Sequence, residues 1–200
     1  MSDSVRNFYD QLSEDYHLIF EDWDVSVKRQ GKILDQIIGN HLNQPRHNMK
    51  VFDCCFNVVI SCDNSLPHLL DHDDLKLTVK NIWDKLEYGG LFLASIRDYD
   101  QLLQEKPHAT TPAVYDDQNG KRIVFQVWDW ELNENVYTLN HFVVREDGDN
   151  WRTDCRSTRY WALLRSELSL ILDEMGFFDI NWSLPEETGY YQPIVTAYKR

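Results

Sequence analysis

Residues 50–62 crowd Val51, Phe52, Val58, Val59 and Ile60 into one apolar, β-branched run, and no glycine follows the run until Gly89. Val, Ile and Phe suit the pleated, half-buried surface of a sheet, so the run predicts a strand. Next come residues 72–87, where Leu75, Val79, Ile82, Trp83 and Leu86 share one helical face. Gly89-Gly90 is a strong stop just beyond that helix. Leu91-Phe92-Leu93-Ala94-Ser95-Ile96 is then nearly continuous in apolar residues, as expected of a strand buried on both faces. Strand, helix, glycine turn and buried strand is the pattern of a βαβ unit. Neighbouring parallel strands need a crossover of about a dozen residues. None separates 51–55 from 56–61, so these two pieces cannot be neighbouring parallel strands and are expected to form one continuous strand.

The flanking segments follow the same logic. Residues 4–14 predict a short helix. Residues 24–42 predict a clearer one, with Val27, Ile33, Leu34, Ile37, Ile38 and Leu42 near a 3.6-residue period and Asp24 as N-cap. Residues 44–49 are polar around Pro45 and read as a loop. In the second half, 121–130, 134–145 and 150–161 read as extended segments, with turn chemistry at Asn119-Gly120 and Asp147-Gly148. They predict an antiparallel sheet added to the α/β core. Residues 162–175 predict a helix ending at Gly176, and 177–183 with 192–199 a closing antiparallel pair.

With 200 residues the chain is long enough for one domain with a sizeable core. Its formal net charge of −13 argues against nucleic acid or an anionic membrane as partner, because both reward Lys/Arg patches. The N-terminus lacks the apolar stretch of a signal peptide, and no apolar run is long enough to span a membrane, so a cytoplasmic protein is expected. Cys54, Cys55, Cys62 and Cys155 form no Cys-x-x-Cys pair and are expected to be buried free thiols. The histidines are scattered without ligand spacing, so no metal site is expected. Asp71-His72-Asp73-Asp74 reads as a helix N-terminus, where acids suit the dipole.

Several motifs, in order, carry a resemblance. Phe8-Tyr9-Asp10, Leu12-Ser13, Tyr16-His17-Leu18-Ile19-Phe20 and Asp22-Trp23 come first. Cys62-Asp63-Asn64-Ser65-Leu66-Pro67-His68 and Ser95-Ile96-Arg97-Asp98-Tyr99-Asp100 follow. Val124–Trp130, Arg159-Tyr160 and Gly189-Tyr190-Tyr191-Gln192-Pro193 complete the set. Together they resemble class I methyltransferases that use S-adenosylmethionine, of the glycine/sarcosine N-methyltransferase type. The resemblance implies an α/β fold: a truncated Rossmann-like methyltransferase sheet with an added antiparallel β segment in the C-terminal half. It implies one domain over 1–200, with N-terminal helices to 48, a reduced α/β core over 49–100, the β insertion over 101–161, and the C-terminal helix and closing strands over 162–200.

The departure from that family is specific. Its first strand feeds a glycine-rich turn at the cofactor, and the next strand ends in an acid that holds the ribose hydroxyls. Here the first strand joins the fourth directly, and about 60 residues, two strand–helix units, have no counterpart. The sheet is therefore expected to be smaller, with a new exposed edge, and an open edge invites pairing with another chain. Homodimerisation through it is an expectation.

The same resemblance implies a small amino acid or amine, such as glycine or sarcosine, as substrate, and S-adenosylmethionine as cofactor. Arg97 would grip the substrate carboxylate in a bidentate fork. Asn64 and Ser65, at the carboxyl end of the first strand, would orient the amine or carboxylate, or serve as local turn caps. Tyr9, Tyr16 and Tyr191, with Tyr190 and Gln192, would wall the substrate pocket, or pack as ordinary core. Asp53, Asn64 and His68 are the candidate cofactor contacts, with a structural histidine the preferred reading of His68 and an edge-facing acid the alternative for Asp53. Trp128 and Trp130 are expected to pack. The alternative to a working enzyme is an inactive remnant that kept the substrate side, bound a small molecule or associated with itself.

Overall fold

A computed structural model of the chain describes residues 3–13, 15–42, 56–117, 120–132 and 135–200. Its contacts cluster into two units. The first comprises Met1–Val27 with Leu102–Ala162, and the second Lys28–Gln101 with Leu163–Arg200.

The second unit is the α/β part. Strand β1 (Phe56–Ser61) pairs in parallel with β2 (Leu86–Ser95) across helix α3 (His72–Lys85). Strands β8 (Ile194–Lys199) and β7 (Phe177–Ser183) complete the sheet antiparallel, in the order β1-β2-β8-β7. Among the described residues β2 is the one neighbour of β1, so β1 is a sheet edge. Residues 51–55, expected to continue this strand, lie outside the described residues.

Each face of β2 meets a helix layer, as its apolar run requires. On one face Leu93 joins Tyr190 and Ile194, with Ile33, Leu34, Ile37 and Ile38 of α2 (Trp23–His41) packed on them. On the other, Phe92 meets Phe177 at 5.9 Å between ring centroids, and Phe177 meets Trp83 of α3 at 4.9 Å. Helix α5 (Arg165–Met175) packs on that same side, its Leu168, Ile171 and Leu172 buried.

Local chemistry sets the boundaries. Asp71 caps α3 by accepting the Asp74 N–H at 2.8 Å, as the acidic cluster predicts. That helix stops at Lys85, two residues early, and Leu86 is buried on β2 instead. Gly90 is needed there because a Cβ would meet the Glu87 carbonyl at 2.8 Å and the Phe56 carbonyl at 3.2 Å. Helix α2 is capped by Asp22, not Asp24: the Asp22 carboxylate accepts the Val25 N–H at 2.9 Å. Helix α5 starts at Arg165, three residues later than expected. The Glu167 carboxylate reaches back to the Leu164 N–H there, while Ala162 and Leu163 are buried ahead of the helix. Gly176 ends α5 at φ 98°, a left-handed turn that glycine takes without strain.

The first unit is the antiparallel sheet β3-β4-β5-β6: Ala113–Asp117, Gly120–Trp130, Val136–Asp147 and Asn150–Trp161. Helix α1 (Asp3–Leu12) packs on β6. Trp128, Tyr137 and Tyr160 stack in a column, the first two rings 4.9 Å apart and the last two 5.6 Å. Trp128 therefore packs, as expected, and Trp130 packs against Tyr137 at 4.8 Å.

Arg122 holds the N-terminal segment of this unit to its sheet. Its buried guanidinium donates to the carbonyls of Leu18 (3.0 Å) and Phe20 (2.9 Å) and pairs with Asp117. A second clamp closes on Asp15, reached by Arg145 at 3.1 Å and Arg156 at 2.6 Å. The thiol expectation fails at Cys155, which is free and exposed because alternate residues of β6 turn to solvent; Cys62 is free and half-buried. Cys54 and Cys55 lie outside the described residues. No described helix is long and apolar enough to cross a membrane.

Candidate active site

Parallel strands present their carboxyl ends together, and ligands of open α/β sheets bind there. In the second unit that end carries the loop after β1, Cys62–His68, and the loop after β2, Ile96–Asp98. The chain turns sharply off β1 through two consecutive left-handed residues, Asp63 (φ 59°) and Asn64 (φ 61°). Asp and Asn tolerate that conformation better than most residues, which is why this pair can stand where a glycine would otherwise be needed.

Asn64 is buried and ties the two loops together. Its side-chain carbonyl accepts the Arg97 N–H at 3.0 Å, and its amide donates to the Tyr99 hydroxyl at 2.9 Å. Its own N–H donates to the Ser95 carbonyl at 3.2 Å. Ser95 extends the network: its hydroxyl accepts the Asp63 N–H (2.9 Å) and donates to the Gln192 side chain (2.8 Å). The Ile96 N–H donates to the Pro193 carbonyl. Two strand ends and the Gly189–Pro193 segment are thus locked by neutral hydrogen bonds among buried groups, which specify one geometry when fully satisfied.

Arg97 leaves this lock as the first charged residue past β2, half-buried, with its backbone N–H fixed by Asn64. The acids after it are held elsewhere: Arg165 takes Asp100 at 2.8 Å and Asp98 at 3.5 Å. Asp63 is exposed and accepts the hydroxyl of Tyr191. Burial of that hydroxyl, then the neighbouring Asp63 carboxylate, push the Tyr191 pKa up, so Tyr191 is a proton donor to Asp63 and not a base. Burial also pushes the Cys62 thiol up to about 11 and the Tyr190 hydroxyl up to about 12. Neither supplies a nucleophile near neutral pH.

The sequence candidates fall into four groups. Asn64, Arg97, Tyr191 and Gln192 come together in this network. Ser65 is exposed and its hydroxyl donates to the Cys62 carbonyl at 2.6 Å, so it caps the turn; His68 is buried in the short helical turn Leu66–His68. Tyr9 and Tyr16 belong to the first unit, where Tyr9 meets Phe8 edge-on at 5.3 Å and Tyr16 meets Trp23 at 5.5 Å. Asp53 lies outside the described residues. Ser95, Tyr99 and Asp63 were not singled out from sequence. The one signal for them was the pairing of an Asp-Asn turn with a serine that ends a buried strand. Among the described residues no cluster of His, Cys, Asp or Glu could hold a metal ion.

No protein-family profile matches the chain. It is 27% identical over 129 residues to a glycine/sarcosine N-methyltransferase of Aphanothece halophytica, an alignment covering 61% of this chain and 47% of that one. The chain thus spans about half the length of that curated relative. An S-adenosylmethionine-dependent methyltransferase from Clostridium acetobutylicum superposes with a TM-score of 0.56 over 82% of this chain and 68% of its own, at 16% identity. DesVI of Streptomyces venezuelae does so with a TM-score of 0.60 over 78% and 64%, at 13% identity. The chain has the class I methyltransferase fold. In that fold the network around Asn64 and Arg97 sits at the ligand-binding end of the sheet. Among the described residues the sheet of the second unit has four strands and a single parallel pair.

Proposed function

We propose that this chain is an S-adenosylmethionine-dependent methyltransferase that methylates the amine of a small amino acid, with glycine or sarcosine as the first acceptors to test. One observation carries the reading: the buried Asn64 side chain holds the Arg97 backbone N–H at 3.0 Å, fixing the main chain from which that cation projects at the carboxyl end of a buried strand. The likeness to the glycine/sarcosine enzyme, spread over 61% of this chain, supports the acceptor class.

The cofactor fits the donor set in part. The exposed Asp63 carboxylate can accept hydrogen bonds from hydroxyl or ammonium groups of a cofactor at the carboxyl end of β1, a strand with one neighbour among the described residues. The Asn64 amide is engaged inside the fold, so it acts through Arg97 and not by direct contact. S-Adenosylmethionine, when bound, supplies the electrophilic methyl group. Arg97 binds the acceptor carboxylate through a bidentate fork and leaves the amine pointing away from it. The Asn64–Tyr99 and Ser95–Gln192 bonds keep that cation in register, and methyl transfer to a free amine depends mostly on such positioning.

A thermal-shift series tests the reading. Glycine or sarcosine should raise the melting temperature of the wild type and leave Arg97→Ala unmoved. Equal protection of both proteins would remove Arg97 from the site. The β1 edge, with no second neighbouring strand among the described residues, also supports a dimer with a second copy, and a monomeric mass by light scattering at micromolar concentration would rule that out.

A further inference from the structure

A second site lies on the other side of the second unit's closing strands, independent of the methyl-transfer reading. Helix α2, strands β7 and β8 and the short helix α6 (Pro185–Thr188) enclose a cavity of about 250 Å³. Strand register explains how it forms. Ser183 pairs with Ile194 and Asn181 with Thr196, while Leu93 pairs with Thr196, so all of these side chains point to the α2 face. Ile33 and Ile37 of α2 and Ile194 of β8 make the apolar floor. The Tyr198 hydroxyl bonds His41 Nδ1 at 2.6 Å beside the far wall.

The walls are polar, and much of that polarity is uncommitted. Thr196 lines the cavity from the middle of β8 and is only 5% exposed, yet its hydroxyl has no hydrogen-bond partner among the described residues. That hydroxyl is not sealed off from the cavity, so water or a ligand can pair with it there. The side chains of Gln36, Asn40 and Ser183 line the same space and make no hydrogen bond among the described residues. Glu187, exposed, also lines the cavity, and one of its carboxylate oxygens accepts the Leu184 N–H at 2.7 Å. No lysine or arginine lines the cavity, so nothing there would neutralise an anion.

We propose that this cavity binds a small hydroxylated amine, an amino alcohol or an amino monosaccharide. Its ring or carbon chain lies on the isoleucine floor. Its hydroxyls pair with Thr196, Ser183, Asn40 and Gln36, and its ammonium faces Glu187. The volume lies just below the range of about 300–1,000 Å³ typical of drug-sized ligands, which limits the occupant to a small metabolite.

Calorimetry with D-glucosamine, D-glucose and D-glucose 6-phosphate as probes, in the absence of any methyl donor, tests the site apart from methyl transfer. The expected order is glucosamine tighter than glucose, with no binding of the phosphate ester. Thr196→Val keeps the shape and removes the hydroxyl, and should weaken glucosamine by about fivefold. Asn40→Ala changes an exposed helix position and should also weaken it, which covers the case in which Thr196→Val fails to fold. Glu187→Gln should abolish the preference for glucosamine over glucose. No saturable heat up to about 10 mM glucosamine, equal affinity for glucose, or binding untouched by both Thr196→Val and Asn40→Ala would overturn the proposal.

Discussion

The two units hold their functional segments by opposite chemistry. In the first, buried or half-buried arginines do the holding: Arg122 grips two carbonyls and Asp117, and Arg145 with Arg156 grips Asp15. In the second, the junctions of β1 and β2 with their loops are held by uncharged amides and hydroxyls, Asn64 to Arg97 and Tyr99 and Ser95 to Asp63 and Gln192, and an arginine, Arg165, enters only beyond them at Asp98 and Asp100. The difference follows from the groups each must hold. The strand ends of the second unit carry amides and hydroxyls that satisfy one another, whereas the N-terminal segment of the first unit presents backbone carbonyls and a carboxylate that need strong donors.

The contrast breaks most sharply at Arg122. Removing one partner of a buried charged cluster strands the others, so Arg122→Ala should cost about 3 kcal/mol, read as a fall in the urea midpoint. A loss near zero would mean that the N-terminal segment is held by other contacts. Asn64→Ala comes next. It removes the bonds that Asn64 makes to the Arg97 N–H and the Tyr99 hydroxyl and should cost about 2 kcal/mol, together with loss of carboxylate-ligand protection. If stability falls but protection persists, Asn64 supports the fold and not the site.

A smaller effect separates the units by pH. Cys62 is raised from 9.0 to about 11 and Tyr190 from 10.0 to about 12, both first by burial. Groups whose pKa rises on folding stabilise the protein fully below their unfolded values and lose that contribution as pH rises through the folded ones. Stability should therefore decline from about pH 9 toward pH 12, and Cys62→Ala should reduce the decline. In the first unit Asp154 moves the other way, held below the usual carboxylate range chiefly by its hydrogen bond to Arg145. Its contribution is present above the ordinary carboxylate pKa and is lost as pH falls below it. Asp154→Asn should thus flatten the acid limb and leave the alkaline limb unchanged in denaturation curves.

Much of the architecture was legible because it rests on local rules. The helical period over 24–42, the Asp71 cap, the Gly176 stop and the apolar run of β2 all foretell elements from neighbours in sequence. Strand β3 escaped notice because Ala113–Asp117 is short and ends in two aspartates, a composition depleted in strands. It forms because Val114, Tyr115 and Asp116 pair with Ile123, Arg122 and Lys121 across a hairpin. Arg122 was missed for a related reason. It occupies the inward phase of β4 with Val124 and Trp128, where an apolar residue is the default, and its partners lie about a hundred residues away in sequence. The candidate site was half legible. Arg97 and Asn64 could be placed at strand ends, but Tyr99 and Ser95 enter only through bonds that span 35 and 97 residues. No periodicity announces such partners.

The most direct test of the methyltransferase reading is a calorimetric titration of S-adenosylmethionine into the folded protein. The account predicts a single saturable site of micromolar affinity, weakened by Asp63→Ala. No binding heat up to millimolar ligand, with the protein shown to be folded, would contradict it and leave a methyltransferase fold without its cofactor.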